Sequence, residues 1–181
     1  MNYLKLTLSG VLQYYADTNQ TSLKTTYNTS IVPTKSAVIG LIASAIGVPR
    51  KSDKLKYLYD NITTKFKVIT AGYIFEDFQS IKPLKSQNNY MNKFYTRNKF
   101  TTSNGGYRDI SIIKNIQYIQ DAEFEVYVSA SDELLKIIFD AIQNPEYSLY
   151  FGKRSCIPNK PIVTEFNLIK EEDLTDVYDC A

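Results

Sequence analysis

The chain of 181 residues has no histidine and no tryptophan, and only two cysteines, Cys156 and Cys180. Without an imidazole there is no histidine general acid or base, no Ser-His-Asp triad and no histidine-containing metal site. Two cysteines far apart in sequence exclude a disulfide framework and argue against a zinc site, so a reducing compartment is expected. No apolar run approaches the roughly 20 residues of a membrane helix. The start, Met1-Asn2-Tyr3-Leu4-Lys5, alternates like a strand and carries no signal-peptide core. Together these absences predict a cytoplasmic protein with no cofactor, no metal and no membrane partner. Any catalysis would fall to carboxylates, Lys, Tyr or Cys.

Hydrophobic residues make up 44% of the chain, as in a globular domain with a proper core. Net charge is only +2, but it is unevenly spread. Between Asp17 and Asp53 there is no acid, while Lys24, Lys35, Arg50 and Lys51 are present. From Glu165 onward the balance reverses, with Glu165, Glu171, Glu172, Asp173, Asp176 and Asp179 against Lys170 alone. A basic body with an acidic end points to a polyanionic partner.

The segment from Lys82 to Arg108 concentrates that tendency. It holds Lys82, Lys85, Lys93, Arg97, Lys99 and Arg108 with no Asp or Glu, and interleaves Tyr90, Phe94, Tyr95, Phe100 and Tyr107. Cations neutralise phosphates and release counterions, while rings stack on unpaired bases, so the segment suits a single nucleic-acid strand. A solvated insertion whose charges only confer solubility is the competing reading.

Periodicity gives an approximate order of elements. Tyr3 to Tyr15 reads as a strand, with Leu4, Leu6 and Leu8 on one face. Pro33-Thr34-Lys35-Ser36 opens a helix that is apolar nearly all round and closes at Gly47, with Thr34 as N-cap. Its start could present N–H groups, Thr34, Lys35 and Ser36 to an anion. No glycine-rich loop precedes it, so a nucleotide-binding P-loop is rejected. A short helix is expected over Asp53–Tyr59, and strands over Lys65–Ile74, Phe75–Ile81, Ile110–Ile113 and Ile116–Val128. Ser131 should cap a second amphipathic helix that ends at Asn144-Pro145. Short strands follow at Ser148–Phe151 and Val163–Ile169, separated by the basic turn Gly152-Lys153-Arg154. The sum is an α+β fold, a ferredoxin-like βαββαβ sheet with a long insertion. Residues 1–169 form the domain, with 82–109 inserted and 170–181 a short acidic tail.

Five blocks, in order, resemble the CasD family, the Cascade subunits of the RAMP superfamily of CRISPR-associated proteins. They are Val11-Leu12-Gln13-Tyr14-Tyr15, Pro33-Thr34-Lys35-Ser36-Ala37-Val38-Ile39-Gly40-Leu41-Ile42-Ala43, Phe75-Glu76-Asp77-Phe78-Gln79-Ser80-Ile81, Tyr118-Ile119-Gln120-Asp121-Ala122-Glu123-Phe124, and Tyr150-Phe151-Gly152-Lys153-Arg154-Ser155-Cys156-Ile157-Pro158. The resemblance implies a modified ferredoxin-like (RRM/RAMP) domain with an inserted β-hairpin thumb, at the place of the Lys82–Arg108 segment. It implies a non-catalytic role: holding the 5′ handle of the CRISPR RNA (crRNA) beside the Cascade backbone and large subunits, in a hetero-oligomer that serves antiviral defence. Tyr15 stands where the family has Trp, Lys153-Arg154 reverses its Arg-Lys order, and its C-terminal extension is largely missing.

The RNA-binding candidates are Tyr14, Tyr15, Thr34, Lys35, Ser36, Lys93, Arg97, Lys99, Tyr107, Arg108, Lys153 and Arg154. Tyr14 and Tyr15 read equally as core residues. Two alternatives stay open. One is an endoribonuclease that processes precursor CRISPR RNA with Lys and Tyr alone, for instance Lys35 with Tyr14 or Tyr107. The other is a free-standing decoy that mimics the subunit.

Overall fold

Alternation puts Leu4, Leu6 and Leu8 on one face of the first strand, and a computed structural model of the chain buries all three. It describes residues 1–16, 26–81, 100–101, 107–108 and 112–180. In chain order the elements are β1 (Asn2–Ser9), β2 (Leu12–Gln13), β3 (Thr26–Tyr27), α1 (Lys35–Ile46), α2 (Asp53–Asn61), β4 (Thr63–Thr70) and β5 (Tyr73–Ile81). There follow β6 (Phe100–Thr101), β7 (Tyr107–Arg108), β8 (Ile112–Gln120), β9 (Glu123–Ser129), α3 (Asp132–Gln143), β10 (Leu168–Lys170) and β11 (Tyr178–Asp179). The expected α+β class is observed.

Both long helices start and stop where their residues dictate. Thr34 Oγ1 accepts the Ala37 N–H at 3.4 Å, and Gly47 closes α1 in the left-handed region with its N–H on Ala43 O. Six apolar residues of α1 are buried. Ser131 Oγ accepts the Leu134 N–H at 3.4 Å, and Leu135, Ile138 and Ile142 point α3 into the core.

The main sheet runs β10-β1-β9-β4-β11, with every neighbouring pair antiparallel. Cross-strand register aligns Leu4 with Val128, Leu6 with Val126 and Leu8 with Phe124, and then Phe66 with Val126. These residues form one buried cluster with α1 and α3. The opposite face is polar: Lys5 meets Glu125 at 3.1 Å, Lys160 meets Glu123 at 2.6 Å, and Tyr127 donates to Glu125 at 2.6 Å.

The second sheet grows from the same ribbon. β4 passes into β5 at Ala71-Gly72, and β8 passes into β9 at Asp121-Ala122. Gly72 (φ 67°) and Asp121 (φ 55°) both take left-handed backbone, so both strands bend at one level. β5 and β8 then pair from Tyr73↔Gln120 to Ile81↔Ile112, with β2 antiparallel and β3 parallel along the free edge of β8. β6 and β7 pair with each other, Phe100 opposite Arg108. Residues 82–99 and 102–106, most of the basic–aromatic segment, lie outside the described residues.

Five expectations are corrected. The strand Tyr3–Tyr15 breaks after Ser9, because Gly10 packs on the Ile157 carbonyl, which an added Cβ would approach to 2.9 Å. The single strand Ile116–Val128 is two, β8 and β9, split at the left-handed Asp121. Ser148–Phe151 is not a strand, and of the last expected strand, Val163–Ile169, only Leu168 and Ile169 pair, in β10 against β1. The acidic residues set apart as a tail are built into the sheet. β11 pairs β4, and the Glu171 carboxylate takes Lys65 at 3.0 Å and the Met1 ammonium at 4.0 Å.

A methyl group on Gly72 would fall 2.3 Å from the Gln120 carbonyl oxygen, on a backbone that L residues rarely adopt. Gly72→Ala is therefore expected to lower unfolding free energy by about 2 kcal/mol, measured by urea denaturation. An unchanged midpoint would show that the bend tolerates a side chain.

Candidate nucleic-acid interface

The loop that follows α3 is fixed by its own backbone. Phe151 and Cys156 are buried, the Phe151 N–H donates to Cys156 O at 2.8 Å, and the Cys156 N–H donates to Lys153 O at 2.9 Å. The Tyr14 N–H donates to Phe151 O at 3.0 Å. Gly152 (φ 89°) lies so close to this strand that a Cβ would be 1.8 Å from Tyr14 O. Lys153 and Arg154 are thereby held at the tip of a rigid turn, next to β2.

Lys153 turns inward. Its ammonium sits 4.0 Å from the Tyr14 ring centroid, 5.3 Å from Tyr118 and 5.4 Å from Tyr27, a cage drawn from three separate segments. Burial holds its pKa below the ordinary lysine value; nearby Lys114 adds to this, while Cys156 and Asp77 oppose it. Arg154 is exposed.

Between this turn and α1 lies a cleft of ≈ 890 Å³. Ser36 and Gly40 of α1 line it, together with Arg50, Tyr150, Lys153 and Arg154. Among the described residues, no Asp or Glu lines it. Arg50 and Arg154 enter no ion pair among the described residues. A concave surface lined by cations and tyrosines, with no carboxylate among its described lining residues, attracts a polyanion and offers it stacking surfaces.

The predicted site residues divide. Ser36, Lys153 and Arg154 line this one cleft. Lys35 does not: its ammonium stacks on Tyr59 of α2 at 4.6 Å. Thr34 is buried and committed to capping, with its hydroxyl 3.2 Å from Ser36 Oγ. Tyr15 is corrected to a core residue. It is fully buried, its ring edge meets Phe124 at 6.3 Å, and its hydroxyl donates to Gln13 Oε1 at 2.5 Å. Burial, with Cys156 and Cys180 adding to it, holds that hydroxyl well above the ordinary tyrosine pKa. Tyr14 is also buried, edge-on to Tyr118 at 6.1 Å beneath Lys153, so it supports the cation instead of presenting a ring to a base. Lys93, Arg97 and Lys99 lie outside the described residues, and Tyr107 and Arg108 are described only as the backbone of β7.

Sequence reasoning missed Arg50, Gly40 and Tyr150 in the cleft, and Tyr27 and Tyr118 in the cage. Arg50 lay in the acid-free run before Asp53, and that run was the available signal. Nothing local marks Tyr27, which reaches Lys153 only because β3 pairs with β8.

A family model described as "CRISPR-associated protein (Cas_Cas5)" matches residues 3–179. The CRISPR system Cascade subunit CasD of Escherichia coli (strain K12) is 25% identical over 170 residues, covering 89% of this chain and 69% of the relative. A chain of a solved CRISPR RNA-guided surveillance complex superposes with a TM-score of 0.72 at 27% identity, covering 89% of this chain and 61% of that one. A solved Cas protein superposes with a TM-score of 0.60 at 22% identity, covering 93% of this chain and 65% of that one, and so shares the fold. This chain thus spans less than two thirds of the length of either solved chain.

Two outcomes test the site's electrostatics and the reassignment of Tyr15. In a lysine-labelled NMR titration, Lys153 should lose its proton below the range of the other lysines. Tyr15→Phe leaves Gln13 Oε1 without its buried donor and should destabilise the fold by about 1–3 kcal/mol in thermal unfolding. A neutral Tyr15→Phe would return Tyr15 to the ligand-binding candidates.

Proposed function

We infer that this chain, which belongs to the Cas5 family of CRISPR-associated proteins, is a subunit of a Cascade-type CRISPR surveillance complex. In this reading it holds the 5′ handle of the CRISPR RNA in the cleft between α1 and the 151–156 turn, without cleaving it. The observation that carries the reading is the chemistry of that cleft. Arg50, Lys153 and Arg154 line a space with no Asp or Glu among its described lining residues, and Tyr150 stands beside them. Arginine forks match phosphate oxygens, and a ring beside them gives an unpaired base a stacking surface. The names of the relatives, a Cascade subunit and a chain of an RNA-guided complex, support the same assignment.

The strand order supports a ferredoxin-like domain of the RAMP kind. α1 lies between β1 and β4 in sequence with β9 between them in the sheet, and α3 lies between β9 and β10 with β1 between them. Each connection is thus a split βαβ unit. The β5–β8 ribbon, leaving the main sheet at Gly72 and Asp121, is the natural root for an inserted thumb. A non-catalytic role fits the residue inventory, because the sequence holds no imidazole for proton transfer.

The test is binding of labelled single-stranded RNA carrying the repeat-derived 5′ handle, with the RNA inspected for cleavage. Arg154→Ala should weaken binding about tenfold or more, the loss expected for one charge-assisted hydrogen bond, and leave the melting temperature unchanged because Arg154 is exposed. Site-specific cleavage that disappears on Lys35→Ala or Lys153→Ala would sink this reading in favour of an endoribonuclease.

A further inference from the structure

Gly40 stands in the middle of α1, on its exposed face. Glycine is a poor choice inside a helix, because it gives up more backbone entropy on folding than alanine and contributes no packing. Such a residue is expected where the backbone needs a left-handed turn or where a neighbour leaves no room for a Cβ. The other described glycines meet one or both conditions. Gly47, Gly72 and Gly152 have positive φ, and a Cβ on Gly10 would come within 2.9 Å of Ile157 O. Gly40 meets neither: its φ is not positive, and a Cβ there would find nothing within 4 Å. Among the described residues, no group accounts for the missing side chain.

The space left empty is the cleft. Gly40 lines it together with Arg50, Tyr150, Lys153 and Arg154. A side chain at position 40 would project into the volume that those residues border. Close approach of a ligand to backbone is one of the few uses that offset a helical glycine. The cations that line the cleft make that ligand an anion, and the tyrosine makes it one with a flat group. An unpaired nucleotide has both.

We propose that Gly40 is a ligand-contact position. One unpaired nucleotide of the bound strand lies in van der Waals contact with the α1 backbone at Gly40, while its flanking phosphates reach Arg50 or Arg154. This rests on the RNA reading above and adds where the strand touches the helix. It also assigns a trade-off: the glycine weakens the fold and strengthens binding. A residue retained only for packing would not separate those two quantities.

The experiment measures both on the full chain, with the same labelled handle RNA. Gly40→Ala should raise the melting temperature by about 2–4 °C, the gain of an exposed helical alanine over glycine in a domain of this size. The same substitution should weaken RNA binding, and Gly40→Leu should weaken it further, by about tenfold. If wild type binds and both variants bind equally well, the contact at Gly40 is overturned while the RNA reading stands. A lower melting temperature for Gly40→Ala would mean that the glycine serves internal packing, and also overturns it. A wild type that does not bind handle RNA overturns the RNA reading itself, and this inference with it.

Discussion

The site depends on one contact between two backbones. Gly152 lies against the Tyr14 carbonyl so closely that no side chain fits between them, and the Tyr14 N–H closes the contact on Phe151 O. This joins the turn after α3 to the segment after β2, although they are far apart in sequence. Lys153 follows Gly152 directly, so the same contact places its ammonium over the Tyr14 ring. A cation on a flexible side chain loses rotamer entropy whenever it is used, and a preset turn meets part of that cost during folding. Arg154 inherits the placement without the cage. The two adjacent cations therefore differ in kind, one partly desolvated and fixed, the other exposed and free to adjust.

The second sheet explains how the cage is assembled. Tyr14, Tyr27 and Tyr118 come from beside β2, from β3 and from β8, three segments that meet only because β2 and β3 both pair along β8. β8 reaches that position because the ribbon bends at Gly72 and Asp121. A straight ribbon would keep β5 and β8 in the plane of the main sheet, away from β2 and from the 151–156 turn. The bend thus links the core sheet to the basic cleft. Each ring contributes modestly to a lysine, about 0.5–2 kcal/mol depending on desolvation, so the value of the cage lies in orientation more than in binding energy.

How much of this was legible follows from the range over which each signal acts. α1 was legible end to end, since Thr34, the apolar run and Gly47 act within one helix length. α3 was legible for the same reason, through Ser131 and its apolar stripe. The break at Asp121 was not, because an aspartate carries no steric demand for φ of 55°; the demand comes from Gly72 on the partner strand. The role of Tyr15 was ambiguous because a tyrosine just after a strand has the same local pattern whether its hydroxyl meets solvent or Gln13. Of the cleft, Ser36 was visible at a helix start and Lys153 and Arg154 in a basic turn, and only the topology brings them to one space. Arg50 and Gly40 carried no motif chemistry of their own.

Charge is sorted by the fold in a way that composition hides. A net charge of +2 suggests a nearly neutral surface. Yet the acids at the edge and on the polar face of the main sheet are consumed locally: Glu171 by Lys65 and the N-terminus, Glu125 by Lys5, and Glu123 by Lys160. Hydrogen bonding to Lys65 holds the Glu171 carboxyl below its ordinary pKa, so the group stays charged as pH falls through the usual glutamate range. Exposed pairs of this kind add little stability singly. Glu171 is paired where the acidic C-terminal segment docks on β1 and β4, away from the basic cleft. Had the acids of that segment been free to reach Arg50 and Arg154, they would compete with any phosphate for the same cations. Pairing β11 with β4 and Glu171 with Lys65 removes that competitor. The acidic end of the chain and the basic cleft are therefore one electrostatic arrangement, in which the sheet holds the negative charge so that the cleft can remain positive.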